Sequence, residues 1–216
     1  MAGQDTQRTA ARLLDVAGRT YAQQAGIRLE DSPAPLYQLL VLCNLLSARI
    51  TADIAVAGAK QLFGAGLTTP AAMQEASWQK RVDLLGRARY KRYDESTSTR
   101  LGEAADLVVE RWHGDLRALA AEAKGDAGTA AELLQEVQGI GPLGAAIFLR
   151  EVQAVWPWLR PFADERVLDD ARSLGLPHSP SGLADAAGTK DLSAITAAIV
   201  HVTRDKSLRQ QVEGSA

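Results

Sequence analysis

The chain has 216 residues, 46% of them hydrophobic and 23% charged, with a formal net charge of −2. That length suits one substantial domain or two small lobes sharing a core. The near balance of charge argues against a protein that coats nucleic acid through bulk electrostatics. No apolar run approaches the roughly 20 residues a membrane span needs. The N-terminal stretch MAGQDTQRTAARLLDVAGRTYAQQAG lacks the apolar middle of a secretion signal and reads as an amphipathic helix. The expected location is therefore cytoplasmic, with no membrane partner.

Alanine, leucine and arginine are abundant and aromatics make up only 5%, a mix that favours helix. The pattern predicts helices at about 5–25, 35–49, 52–64, 70–75, 78–85, 92–112, 115–123, 128–137, 142–154, 164–174, 180–187 and 191–203. Within the second of these, Cys43 sits in the apolar run LLVLCNLL and reads as a small core residue. Ser77 is placed to cap the short helix that follows it. Residues 195–203, ITAAIVHVT, are β-branched enough for a strand, but no second strand offers pairing, so a buried helix is expected. The expected fold class is all-α. His113, His178 and His201 are dispersed without metal-ligand spacing, and no metal site is expected.

Between Lys80 and Arg100 the chain carries Lys80, Arg81, Arg87, Arg89, Lys91, Arg92 and Arg100 against Asp83, Asp94 and Glu95. A basic face of this kind can hold phosphates while the whole molecule stays slightly acidic. It can equally be a solvated loop. Tyr90 and Tyr93 lie among these cations, as rings that stack on an extruded base do. A tyrosine anchoring the loop to the core has the same local sequence.

Residues 133–149 read LLQEVQGIGPLGAAIFL. Two apolar helical runs flank Gly139, Ile140 and Gly141, and Pro142 opens the second run, where its missing N–H costs nothing. Paired glycines permit a close approach of backbone to another polymer. The N–H groups of the following helix start, at Leu143 and Gly144, can hold a phosphate. A glycine-rich helical hairpin of no special function shares the pattern. Further on, AVWPWLRPFADERVLDDARSLGLP brings Asp164 to the start of another helix. There, on local sequence alone, a carboxylate reads as a helix cap. Trp156 and Trp158, around Pro157, are expected to pack this connector against the hairpin rather than to meet DNA.

Hairpin, connector and Asp164 together resemble the endonuclease III-like DNA glycosylases of the helix-hairpin-helix and Gly-Pro-Asp superfamily. The resemblance extends to LYQLLVLCNLLSARITADIAVAGAKQLF, residues 36–63, and covers about residues 30–175. It implies two helical lobes. One is a central lobe at 30–137. The other is built from 1–29 plus 138–216, with the helix-hairpin-helix at about 133–149. It also implies double-stranded, damaged DNA as partner, a monomer, and Asp164 as the catalytic residue. Gly139, Ile140, Gly141, Leu143 and Gly144 would contact DNA, together with Arg49, Tyr90, Lys91, Arg92 and Tyr93. Arg49 stands where the family's LLSAQ pattern has glutamine, at a position that fills the gap left by an extruded base.

Two departures bear on chemistry. Bifunctional relatives carry a lysine nucleophile two residues after the second hairpin glycine; here that position is Leu143, and no lysine occurs between Lys124 and Lys190. A single cysteine cannot hold the four-thiolate iron–sulfur cluster that many relatives have near the C-terminus. The expectation is a monofunctional glycosylase without β-lyase activity, iron–sulfur cluster or other cofactor. A monovalent cation in the hairpin stays open. Lys91 and Lys60 are the less improbable amines if folding supplies one. The alternative is a non-catalytic DNA-binding protein that recognises lesions or bent duplex on the same scaffold. A helical protein-interaction module unrelated to DNA is the third class.

Overall fold

A computed structural model describes residues 2–214 and is all-helical, with no strand among the described residues. In chain order the helices are α1 (Ala2–Ala17), α2 (Tyr21–Gln24), α3 (Pro33–Leu46), α4 (Ala52–Gly64), α5 (Pro70–Glu75), α6 (Trp78–Arg87), α7 (Asp94–Trp112), α8 (Leu116–Glu122), α9 (Ala127–Gln135), α10 (Pro142–Val152), α11 (Glu165–Ser173), α12 (Pro180–Ala187), α13 (Ser193–Arg204) and α14 (Lys206–Gly214). A single 3-10 turn occupies Pro157–Leu159. Many of the helix starts use short polar caps. Ser77 accepts from the Lys80 N–H, as its position suggested, and Thr69, Asp115, Asp126 and Ser179 cap α5, α8, α9 and α12 in the same way.

The chain divides into two compact units, residues 22–149 and residues 1–21 plus 150–216, with the division falling inside α10. The boundaries expected from the sequence were 30–137 and 1–29 plus 138–216. The turn at 133–149 belongs with the central unit because it is bonded to α3: Asn44 Nδ2 donates to the Gln138 carbonyl at 2.7 Å, and Gly144 lies against Ser47. Met1, Ser215 and Ala216, included in the expected second lobe, lie outside the described residues.

In the central unit, α3 is apolar around nearly its whole circumference and is buried accordingly, with Leu36, Leu39, Leu40, Leu42, Cys43 and Leu45 all in the core. It packs against α4, α7 and α8. Helices α5, α6 and α7 are knotted by Arg81, a residue only 8% exposed. Its Nε donates to the Ser98 carbonyl at 3.0 Å and its Nη1 to the carbonyls of Met73 and Ala76 at 2.8 and 2.7 Å. Burial pulls this guanidinium below its ordinary pKa. The knot leaves no room beside it: a Cβ on Gly102 would stand 2.9 Å from Arg81 Nη2.

In the other unit, α1 packs on α12, α13 and α14, and α11 packs on α13. Leu13, Val167, Leu183, Ile195 and Ile199 form its centre. Residues 195–203 lie within α13, so the β-branched run is the buried helix expected of it. The first and last helices differ from expectation. The first helix ends at Ala17 rather than running to residue 25, because the chain turns at Gly18, where a Cβ would stand 2.5 Å from the Leu14 carbonyl oxygen. The last helix, α14, was not anticipated; its sequence KSLRQQVEG is polar except for Leu208 and Val212, which turn inward.

Candidate nucleic-acid interface and candidate carboxylate site

The C-terminal end of α3 gathers three segments of the central unit that are distant in sequence. Asn44 holds the turn after α9 through the Gln138 carbonyl. The Leu45 carbonyl accepts from the Tyr90 hydroxyl at 3.3 Å, which anchors the loop between α6 and α7. Ser47 faces Gly144 in the first turn of α10. Arg49 follows two residues later, exposed in the bend before α4. The turn, the basic loop and Arg49 therefore share one end of one helix.

Within the turn the two glycines differ. Gly139 has φ +87°, and a Cβ there would stand 2.5 Å from Asn44 Nδ2, so the fold itself requires glycine. Gly141 has no positive φ, and a Cβ there would meet nothing within 4 Å. Its bare side faces open space, where an external backbone can approach. The Gly141 carbonyl accepts from Ala145 N–H at 3.0 Å and opens α10. Pro142 brings no N–H, and the N–H groups of Leu143 and Gly144 have no carbonyl one turn behind them. Such a helix start attracts anions.

The remaining expected contacts separate into exposed and buried. Leu143 is 36% exposed, and Arg49, Lys91 and Arg92 are exposed. Tyr93 is half-buried, with the Arg92 guanidinium 5.3 Å above its ring. Three residues expected at a DNA surface are instead packing residues. Tyr90 is 1% exposed, and its ring lies against Gly58; it anchors the loop and cannot stack on a base. Ile140 is buried. Gly144 is buried between Ser47 and Ile140, where a Cβ would come within 2.5 Å of Ser47 Oγ, so its bare α-carbon serves helix packing. Lys60 is exposed on α4, and Lys91 sits in the loop anchored by Tyr90.

Comparison with protein-family models and with curated proteins finds no match to this chain.

Asp164 lies in the other unit, at the N-cap of α11 with extended backbone (φ −79°, ψ 161°), yet its side chain makes no capping hydrogen bond. The carboxylate turns instead to Arg150, whose Nη1 stands 2.6 Å from Oδ2. Arg150 is 6% exposed and Asp164 20%. The segment leading to Asp164 is held by Gln153, a fully buried amide with all its bonding capacity used. Its Nε2 donates to the Arg150 and Phe162 carbonyls, both at 3.0 Å. Its Oε1 accepts from the N–H groups of Phe162 and Leu192 at 3.1 and 3.2 Å. Arg160 adds donation to the Gln153 carbonyl at 2.6 Å and to Ala154. Trp156 and Trp158 stack on each other at 5.6 Å within the same connector. The segment before the aspartate is thus held by Gln153 and Arg160, and Arg150 engages Oδ2, while Oδ1 has no partner among the described residues.

Local sequence carried no sign of Asn44, Arg150 or Gln153, since each acts through a partner that folding supplies. Folding also gathers Glu165, Asp169 and His178, whose ligand atoms lie within 4.8 Å of one another; His178 Nε2 stands 3.0 Å from Asp169 and 3.3 Å from Glu165. The dispersed histidines gave no hint of it. His201 instead bonds the Ala17 carbonyl at 3.1 Å, and its ring meets Tyr21 edge-on at 4.8 Å.

Proposed function

We propose that this chain is a DNA base-excision glycosylase of the endonuclease III-like superfamily, monofunctional and without an iron–sulfur cluster. The observation that carries the reading is Gly141. Its side is open although nothing in the fold demands glycine there, and it precedes a helix whose first turn packs on Ser47, two residues before exposed Arg49. An approaching phosphate explains the absent side chain at Gly141 and suits the N–H of exposed Leu143. Lys91 and Arg92, in the loop held to the same end of α3, add cationic contacts to the duplex backbone.

In this reading the damaged nucleotide leaves the stack, at a cost of a few kcal/mol that is least for a damaged or mismatched pair. The bond between C1′ and the base nitrogen breaks, and its electron pair departs with the base, which takes up a proton. The Asp164 carboxylate stabilises the cationic sugar, and water adds through oxygen to C1′ and gives its proton to solvent. Leu143 at the position of the family's lysine leaves no amine there to form a Schiff base.

A second reading is a non-catalytic binder of lesions or bent duplex. The Arg150–Asp164 pair favours it, because a guanidinium 2.6 Å from the carboxylate cancels part of its field at any sugar. One panel separates the two. Duplexes bearing uracil, alkylated purines, oxidised pyrimidines, 8-oxoguanine or an abasic site are incubated with wild type and Asp164→Asn. Base release by wild type that falls steeply, to a slow residual rate, in Asp164→Asn supports the glycosylase. Binding by both proteins with release by neither supports the binder. Failure to bind any duplex at low salt removes both. Borohydride trapping of a protein–DNA adduct would overturn the monofunctional assignment.

A further inference from the structure

We infer that Arg150 is a positioning residue for Asp164, holding one carboxylate oxygen so that the other is presented to the sugar. The inference rests on the glycosylase reading and assigns a role to a residue that the family resemblance did not single out.

An N-cap aspartate ordinarily turns its carboxylate back onto the first-turn N–H groups of its own helix. Asp164 has the N-cap backbone but makes no such bond. Its carboxylate is engaged instead by Arg150, whose Nη1 donates to Oδ2 at 2.6 Å. The guanidinium is nearly enclosed at 6% exposure. Its backbone is fixed as well, since the Arg150 carbonyl accepts from Gln153 Nε2 at 3.0 Å. The same Gln153 amide holds Phe162, two residues before Asp164, through both its N–H and its carbonyl. Donor and acceptor are therefore tied to one buried amide, and little freedom is left for the carboxylate to rotate. A surface ion pair between long side chains would not achieve this. Here Oδ1 carries no partner among the described residues, and Asp164 keeps 20% exposure.

A misplaced catalytic group loses rate on the order of 100-fold without loss of substrate binding. Single-turnover base release and duplex affinity are measured for wild type, Arg150→Lys, Arg150→Gln, Asp164→Asn and the double variant Arg150→Gln/Asp164→Asn. Thermal melts identify the folded proteins. The expected result is a fall in rate of about 100-fold for Arg150→Gln with unchanged affinity, and partial recovery in Arg150→Lys. On the Asp164→Asn background, Arg150→Gln should bring no further loss, since the two residues act as one unit.

Arg150→Gln at the wild-type rate would overturn the inference while leaving the glycosylase intact. Full additivity in the double variant would do the same. Should Arg150→Gln fail to fold, the decision falls to Arg150→Lys: a lysine donates to one point without the planar fork, so its rate must lie below wild type with affinity retained, and a wild-type rate overturns the inference. Absence of base release by wild type overturns the glycosylase reading and this inference with it.

Discussion

Asn44 Nδ2 lies 2.7 Å from the Gln138 carbonyl oxygen, a bond across 94 residues that fixes the turn before α10 to the end of α3. The same amide leaves Oδ1 buried and unbonded. Asn44→Ala removes the bond together with the orphaned oxygen, so the two effects partly offset and the loss should be about 1 kcal/mol. Asn44→Asp removes the donor and places a charge against a carbonyl oxygen in a 3% exposed site, and should cost several times more. Denaturant melts of the two variants check the order; aspartate at least as stable as alanine would mean that the amide does not hold the turn.

Gly139 and Gly141 should respond to alanine in opposite ways. Gly139→Ala meets Asn44 at 2.5 Å with a positive φ, and should destabilise by about 1–3 kcal/mol. Gly141→Ala meets nothing and should melt like wild type within about 0.5 kcal/mol, yet bind duplex more weakly. Gly141→Ala with undiminished affinity would withdraw the phosphate contact from that residue.

Arg49, Lys91 and Arg92 are expected to act on the DNA backbone without regard to base sequence. Replacing any one with alanine should weaken binding to all duplexes alike. Each should also lower the slope of log affinity against log salt by about one. Titrations at several salt concentrations measure that slope, and an unchanged slope for all three variants would place the duplex elsewhere.

Tyr37 is 1% exposed and its hydroxyl has no hydrogen-bond partner among the described residues. Burial pushes this phenol well above its ordinary pKa of about 10, and burial raises Tyr21 and Tyr90 too. The folded state therefore holds these protons more tightly than the unfolded chain. The stability this gives is complete below about pH 10 and is lost as pH rises beyond it. Tyr37→Phe removes both the stranded hydroxyl and the largest of these groups in burial. It should be at least as stable as wild type at neutral pH and should unfold at higher pH in alkaline titration.

The features legible in the sequence are those settled within one turn or one cap. Ser77 declared itself by standing before an amphipathic run, Pro142 by opening a helix, and the glycine pair by punctuating two apolar stretches. The all-helical class followed from composition and periodicity. What stayed hidden depends on long-range partners. Asn44 gains its meaning 94 residues away, Gln153 binds Leu192 across 39, and Arg150 reaches Asp164 across 14. Tyr90 and Tyr93 show the limit within a single loop. Three residues apart among the same cations, one is core and the other half-buried, because only the former reaches the Leu45 carbonyl. The attachment of the turn before α10 to α3 is likewise a matter of contact, not of composition.

Residues 22–149 are continuous in sequence, whereas the other unit joins residues 1–21 to 150–216. A ribosome therefore delivers every part of the first before the second can close. During that interval α1 has been made but α12, α13 and α14 have not, and Ala10, Leu13 and Ala17 lack the surfaces that cover them. Synthesis thus favours an order in which the unit carrying the glycine turn is finished early. The unit carrying the carboxylate waits for the last part of the chain to emerge.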